Sequence, residues 1–137
     1  MQRCLVLARQ AKASGKPGVG SVLVRNGEII GEGIEGSPDL PPVLAHAEIL
    51  AITSGIAKIQ TKDLTDCILY TTVEPCVMCS YVIRSTGVGH VVVGTATSGV
   101  GGVTSNYPVL TAQDIEKWKI PPTVTTGVME QECKEAL

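Results

Sequence analysis

The stretch CILYTTVEPCVMCSYVIRSTGVGHVVVGT, residues 67–95, decides how the chain folds. Cys67 to Thr72 form an apolar, β-branched run that reads as a short buried strand. Pro75 is favoured in the first turn of a helix and Gly87 suits a left-handed cap, so a helix is expected between them. HVVVGT, from His90, reads as a second buried strand. Upstream, VGSVLVRNGEIIGEG (residues 19–33) has two β-branched runs around Asn26-Gly27, the strongest short-range hairpin signal.

The rest of the chain fits around this frame. A first helix is expected over Gln2 to Ala13, with Cys4, Ala8 and Ala11 on one face, ending at SGKPG. SPDLPP reads as a rigid proline-rich loop leading to a second helix. There Ala45, Ile49, Ile52, Ile56 and Ile59 recur at helical spacing as a buried stripe. SGVGGVTSN (residues 98–106) reads as a long surface loop, TAQDIEKW as a short helix, TVTTG as a strand, and a last helix starts near Met129. An opening hairpin followed by helices alternating with buried strands predicts a three-layer α/β/α domain around a mixed five-stranded sheet. No linker or repeat divides residues 1–137, so one domain is expected.

Bulk properties narrow the function classes. The chain has 137 residues, 44% hydrophobic and 18% charged, which fits an ordered globular protein with a sizeable core. Eleven Lys and Arg against 13 Asp and Glu give a net charge of −2, no support for a large nucleic-acid surface. The N-terminal apolar run, Cys4 to Ala8, is too short for an export signal or membrane span, so the cytoplasm is the expected location. Cys4, Cys67, Cys76, Cys79 and Cys133 are odd in number and scattered, a poor disulfide framework. Cys4, Cys67 and Cys133 read as small buried hydrophobes.

Cys76 and Cys79 share one face at the start of a helix, whose positive end favours thiolates. That placement suits a redox pair as well as a metal. A closed structural zinc site needs four ligands, and no second Cys-x-x-Cys exists. A catalytic zinc uses three protein ligands and leaves a position for water. His46 heads the second helix with Glu48 beside it, whereas His90 reads as a strand-end residue. The set becomes His46, Cys76 and Cys79 on zinc, with Glu48 free as acid and base.

HAE at residues 46–48 followed by PCVMC at 75–79 resembles the H-x-E…P-C-x-x-C signature of the cytidine/deoxycytidylate deaminase superfamily. The wider pattern, from the first helix to about Thr95, is similar to the branch of tRNA adenosine deaminases, guanine deaminases and fungal-type cytosine deaminases. From Thr97 onward the similarity is weak. The resemblance implies a cytidine deaminase-like fold, a zinc ion and a homodimer. It also implies that an activated water attacks a ring carbon bearing an amino group while Glu48 carries the proton to the ring nitrogen and the departing amine.

Substrate choice is where this chain departs from its relatives. The family usually has Asn at the place of Glu35, where it reads the bound base. An ionised carboxylate only accepts hydrogen bonds, so Glu35 favours a ring presenting N–H or amino groups. Glu35 and Ala47 are therefore the expected substrate-binding residues. Tyr107, Trp118 and Asp114 are candidates to close the pocket, and Glu74 a supporting group. With the acidic balance, these features lead to an expected substrate such as guanine, isocytosine, cytosine or an aminotriazine as the free base, with nucleic acid unlikely. A tRNA-specific adenosine deaminase is the alternative, and a non-catalytic zinc module a more distant one.

Overall fold

The computed structural model describes residues 1–38 and 40–137; Asp39, inside the expected proline-rich loop, lies outside them. The elements run α1 (Gln2–Ala13), β1 (Gly20–Arg25), β2 (Glu28–Ile34), α2 (Ala47–Ile59), β3 (Cys67–Val73), α3 (Val77–Thr86), β4 (His90–Thr95), β5 (Thr123–Thr125) and α4 (Glu130–Ala136). One five-stranded sheet has the order β2-β1-β3-β4-β5. β1 pairs antiparallel with β2 and β3, while β3–β4 and β4–β5 are parallel. The expected mixed sheet is present.

The hairpin forms as Asn26 and Gly27 both take positive φ, 51° and 80°, which the two-residue turn requires. Strand alternation then sorts the side chains into two layers. Leu23, Leu69 and Val91, aligned across three strands, pack with Ile52 and Ile83 beneath α2 and α3. Val22 and Tyr70 face the opposite side, with Cys4 and Leu7 of α1. Each fully buried Leu, Ile or Val contributes roughly 1.5–3 kcal/mol. Cys4, Cys67 and Cys133 are buried and unbridged.

The buried stripe of α2 differs from the expected one. Ala45 and Ile52 are buried, but the innermost face of the helix is Ala47, Glu48, Ala51, Ile52 and Gly55, with Ile56 and Ile59 at its edge. Small residues win because α2 lies directly on β2. A Cβ at Gly33 would sit 1.8 Å from the Ala47 carbonyl oxygen, and one at Gly31 2.1 Å from that of Ala51. This close approach brings the start of α2 down onto the sheet.

Two expectations beyond β4 are corrected. Residues 111–118 form turns rather than a helix. The buried guanidinium of Arg84 accounts for this: it donates to the carbonyls of Val109, Ala112 and Lys119 and stacks 5.1 Å from the centre of the Trp118 ring. Of these acceptors Ala112 lies within 111–118 and Val109 and Lys119 flank it, so one cation pins the segment from before its start to past its end. Residues 98–106 are no free surface loop either, since Gly101 and Gly102 are buried against the start of α3.

Candidate active site

Two helix N-termini meet at one place beside the sheet. His46 is the N-cap of α2 and Cys76 the N-cap of α3, both extended, and neither spends its side chain on capping. Their side chains are thereby free to turn inward. His46 Nδ1, Cys76 Sγ and Cys79 Sγ lie within 4.8 Å of one another, with Nδ1 and Cys76 Sγ 3.7 Å apart. Zinc–sulfur and zinc–nitrogen bonds at tetrahedral angles put such atoms about 3.6 Å apart, so the donor set fits zinc in both chemistry and spacing.

The thiols are unlike each other. Hydrogen bonding from Cys79, helped by backbone amides at the helix start and by His46, pulls the Cys76 thiol down to about 5. Cys79, fully buried, holds its proton, raised first by that same bond and then by burial beside Glu48. One thiolate is thus preformed and the other thiol would surrender its proton on binding a cation.

Glu48 lies in the first turn of α2, 3% exposed. Its Oε1 is 3.3 Å from Thr71 Oγ1 and its Oε2 3.6 Å from Cys79 Sγ. Burial, reinforced by Glu35 and Cys76, pushes its carboxyl up to about 7, the poise of a group that takes and returns a proton near neutral pH.

Glu35 closes the other side. Its Oε2 accepts the Ala47 amide at 3.1 Å, and burial pushes its carboxyl up despite that bond and His46. A cavity of about 150 Å³ is lined by Val19, Glu35, His46, Glu48, Val73, Glu74, Cys76 and Thr97. Five of the residues singled out in the sequence, Glu35, His46, Glu48, Cys76 and Cys79, are brought together. Ala47 is completely buried and reaches the site through its amide on Glu35.

Tyr107, Asp114 and Trp118 do not line this cavity. Tyr107 is exposed, and Trp118 packs against Tyr81 and Arg84 at the far end of α3. His90 is a strand-end residue as expected, with Nε2 2.9 Å from Thr125 Oγ1. Thr71 and Thr97 escape a reading of the sequence. Thr71 has a signal, since Leu69, Thr71 and Val73 share one face of β3. Thr97 has none, lying past the last strand with a strong pattern.

Residues 1–95 match the family described as the cytidine and deoxycytidylate deaminase zinc-binding region. The chain belongs to this family. It is 36% identical over 138 residues to the tRNA-specific adenosine deaminase of Haemophilus influenzae, covering 100% of this chain and 78% of the relative. To the tRNA-specific adenosine deaminase of Aquifex aeolicus it is 35% identical over 118 residues, covering 84% and 78%. Among solved structures, one from studies of A-to-I editing by tRNA:A34 deaminases superposes with TM-score 0.91 at 30% identity, covering 100% of this chain and 97% of that one. The guanine deaminase of Nitrosomonas europaea gives 0.79 at 25% identity, covering 98% and 79%. The protein is thus a zinc-dependent hydrolytic deaminase with the cytidine deaminase-like fold.

These likenesses overturn the expectation of a free-base substrate with nucleic acid unlikely, because relatives at 33–36% identity over most of the chain act, by name, on tRNA. The physical reason is one of scale. Whole-chain charge tests for a broad electrostatic footprint, whereas an enzyme acting on a single base takes that nucleotide out of its stack into a pocket. Single-stranded RNA loops are read largely by such local contacts. A net charge of −2 does not bear on them.

Proposed function

We propose that this protein deaminates adenosine to inosine within the anticodon loop of a tRNA. The observation that carries the reading is the relatives' common specificity, joined to a site with a cation's three donors on one side and Glu48 on the other. His46, Cys76 and Cys79 would hold zinc, which when bound supplies the Lewis acidity that moves a water's pKa from about 15.7 to about 7. Glu48 takes one proton from the water and delivers it to adenine N1, then takes the second from the oxygen now on C6 and delivers it to the departing amine. Oxygen ends on C6 and ammonia leaves. Thr71, in contact with Glu48 Oε1, orients the carboxylate for this shuttle.

Glu35 is the base-reading residue in this account. Its Oε2 is fixed by the Ala47 amide, which aims the carboxylate into the cavity as an acceptor. The exocyclic amino group is the donor on adenine's pairing edge, so an acceptor suits it. A second hollow of about 460 Å³ adjoins the site through Glu35 and is lined also by Gln10, Ser14, Lys16 and Ser37. It offers room for a flanking nucleotide, with exposed Lys16 beside it for a phosphate. In this reading the enzyme works in the cytoplasm, where its thiols stay reduced; no described helix is long and apolar enough to cross a membrane.

The test is to incubate zinc-loaded protein with tRNA and with anticodon stem-loops carrying adenosine at the wobble position, and to measure inosine by nucleoside analysis. Inosine at that position in wild type and its loss in Glu48→Ala support the reading. Its absence from every tRNA would end it.

A further inference from the structure

We propose that Glu74 is a positioning residue: its carboxylate holds the Thr97–Thr104 loop so that Thr97 walls the deaminase site, and ties that loop to Cys76. The inference rests on the proposed function for its substrate, though not for its geometry. Glu74 is 4% exposed, and among the described residues every hydrogen bond its carboxylate makes runs to this loop. Oε1 accepts the Val103 amide at 2.8 Å and the Thr104 amide at 2.7 Å. Oε2 accepts the Thr104 hydroxyl at 2.7 Å and the Thr97 amide at 3.3 Å. No Lys, Arg or His pairs with it among the described residues. A buried carboxylate without a cation is sustained here entirely by donors from one loop.

The main chain laces the same two segments together. Gly102 N–H donates to the Pro75 carbonyl at 2.8 Å, and Gly101 forms an antiparallel bridge with Cys76. The loop passes so close that side chains are excluded. A Cβ on Gly101 would lie 2.2 Å from Glu74 Oε1, and one on Gly102 1.9 Å from Ser80 Oγ. Thr97, at the loop's start, lines the site cavity together with Glu74 and Cys76. The wall facing the substrate and the segment carrying a zinc ligand are therefore one hydrogen-bonded unit.

Glu74→Gln tests this with a graded outcome. The amide oxygen can keep the Val103 and Thr104 amides, and the Thr104 hydroxyl can turn to accept from the new NH₂. Only the Thr97 amide is left facing a donor. Its hydrogen exchange should rise on the order of tenfold or more while the sheet amides are unchanged. Zinc content should stay at wild-type stoichiometry, and KM for the tRNA stem-loop should rise several-fold with kcat changed less. Gly101→Ala approaches from the loop side, keeps the carboxylate's charge but drives a Cβ against it, and should reproduce faster exchange at Thr97, Val103 and Thr104. A uniform rise in exchange over the whole chain with parallel loss of zinc, or an unchanged Thr97 amide and KM in Glu74→Gln, would overturn the proposal. Should wild type deaminate no RNA, the functional reading fails while the exchange and zinc measurements still judge Glu74.

Discussion

The starts of α2 and α3 frame the site cavity, and the segment from residue 96 to residue 122 meets it at Thr97, yet the two are built in opposite ways. The helix starts are rigid by packing: Ala47 and Ala51 press on glycines of β2, and Cys79 and Ile83 are fully buried. The later segment has no helix or strand and takes its shape from side chains reaching in from outside it, Glu74 at one end and Arg84 at the other. The first arrangement fixes donor atoms to within the tolerance a metal demands. The second shapes a wall whose form can differ between relatives without disturbing the metal. Chemistry and specificity are thereby assigned to different kinds of backbone.

That division sets the scale of what each substitution should do. Cys76→Ser or Cys79→Ser removes one of three zinc donors and should abolish stoichiometric zinc binding and all turnover, read by elemental analysis and inosine formation. Glu48→Gln should keep zinc and lower the rate by on the order of 10²- to 10⁴-fold; full zinc with unimpaired turnover would remove Glu48 from the chemistry. Gly33→Ala adds a Cβ 1.8 Å from the Ala47 carbonyl and should lift the start of α2 from the sheet. A loss of about 1–3 kcal/mol in denaturant unfolding is expected, with reduced zinc affinity. Smaller still is Lys16→Glu, which should weaken tRNA binding, flatten its salt dependence by about one phosphate contact and leave kcat unchanged. An effect at Lys16 larger than at the helix starts would contradict the assignment of roles.

The same contrast separates what the sequence made legible from what it hid. The hairpin at Asn26-Gly27, the strands at 67–73 and 90–95, and the clustering of His46, Cys76 and Cys79 as a group that could hold a metal follow from local rules: a turn needing positive φ, β-branched runs, and helix starts that favour thiolates. Glu48 was readable because it stands two residues from a ligand within the H-x-E pattern. The helix expected at 111–118 is absent where Arg84, distant in sequence, binds the Ala112 carbonyl inside that stretch and those of Val109 and Lys119 on either side of it. Gly101 and Gly102 read as part of a surface loop and are instead points of close approach to Glu74 and Ser80. The expectation of a free-base substrate went wrong for a similar reason. Net charge is a sum over the chain, and RNA recognition at a single extruded base depends on a few residues around one cavity.

In the proposed function zinc and Glu48 act on adenosine in tRNA. The most direct measurement is inosine in tRNA recovered after reaction with the zinc-loaded protein, quantified beside ammonia release from adenine, guanine and cytosine under the same conditions. The expected result is inosine confined to the anticodon loop, dependent on Glu48, and formed faster than any free base is consumed. Ammonia from a free base with no inosine in any tRNA would contradict it.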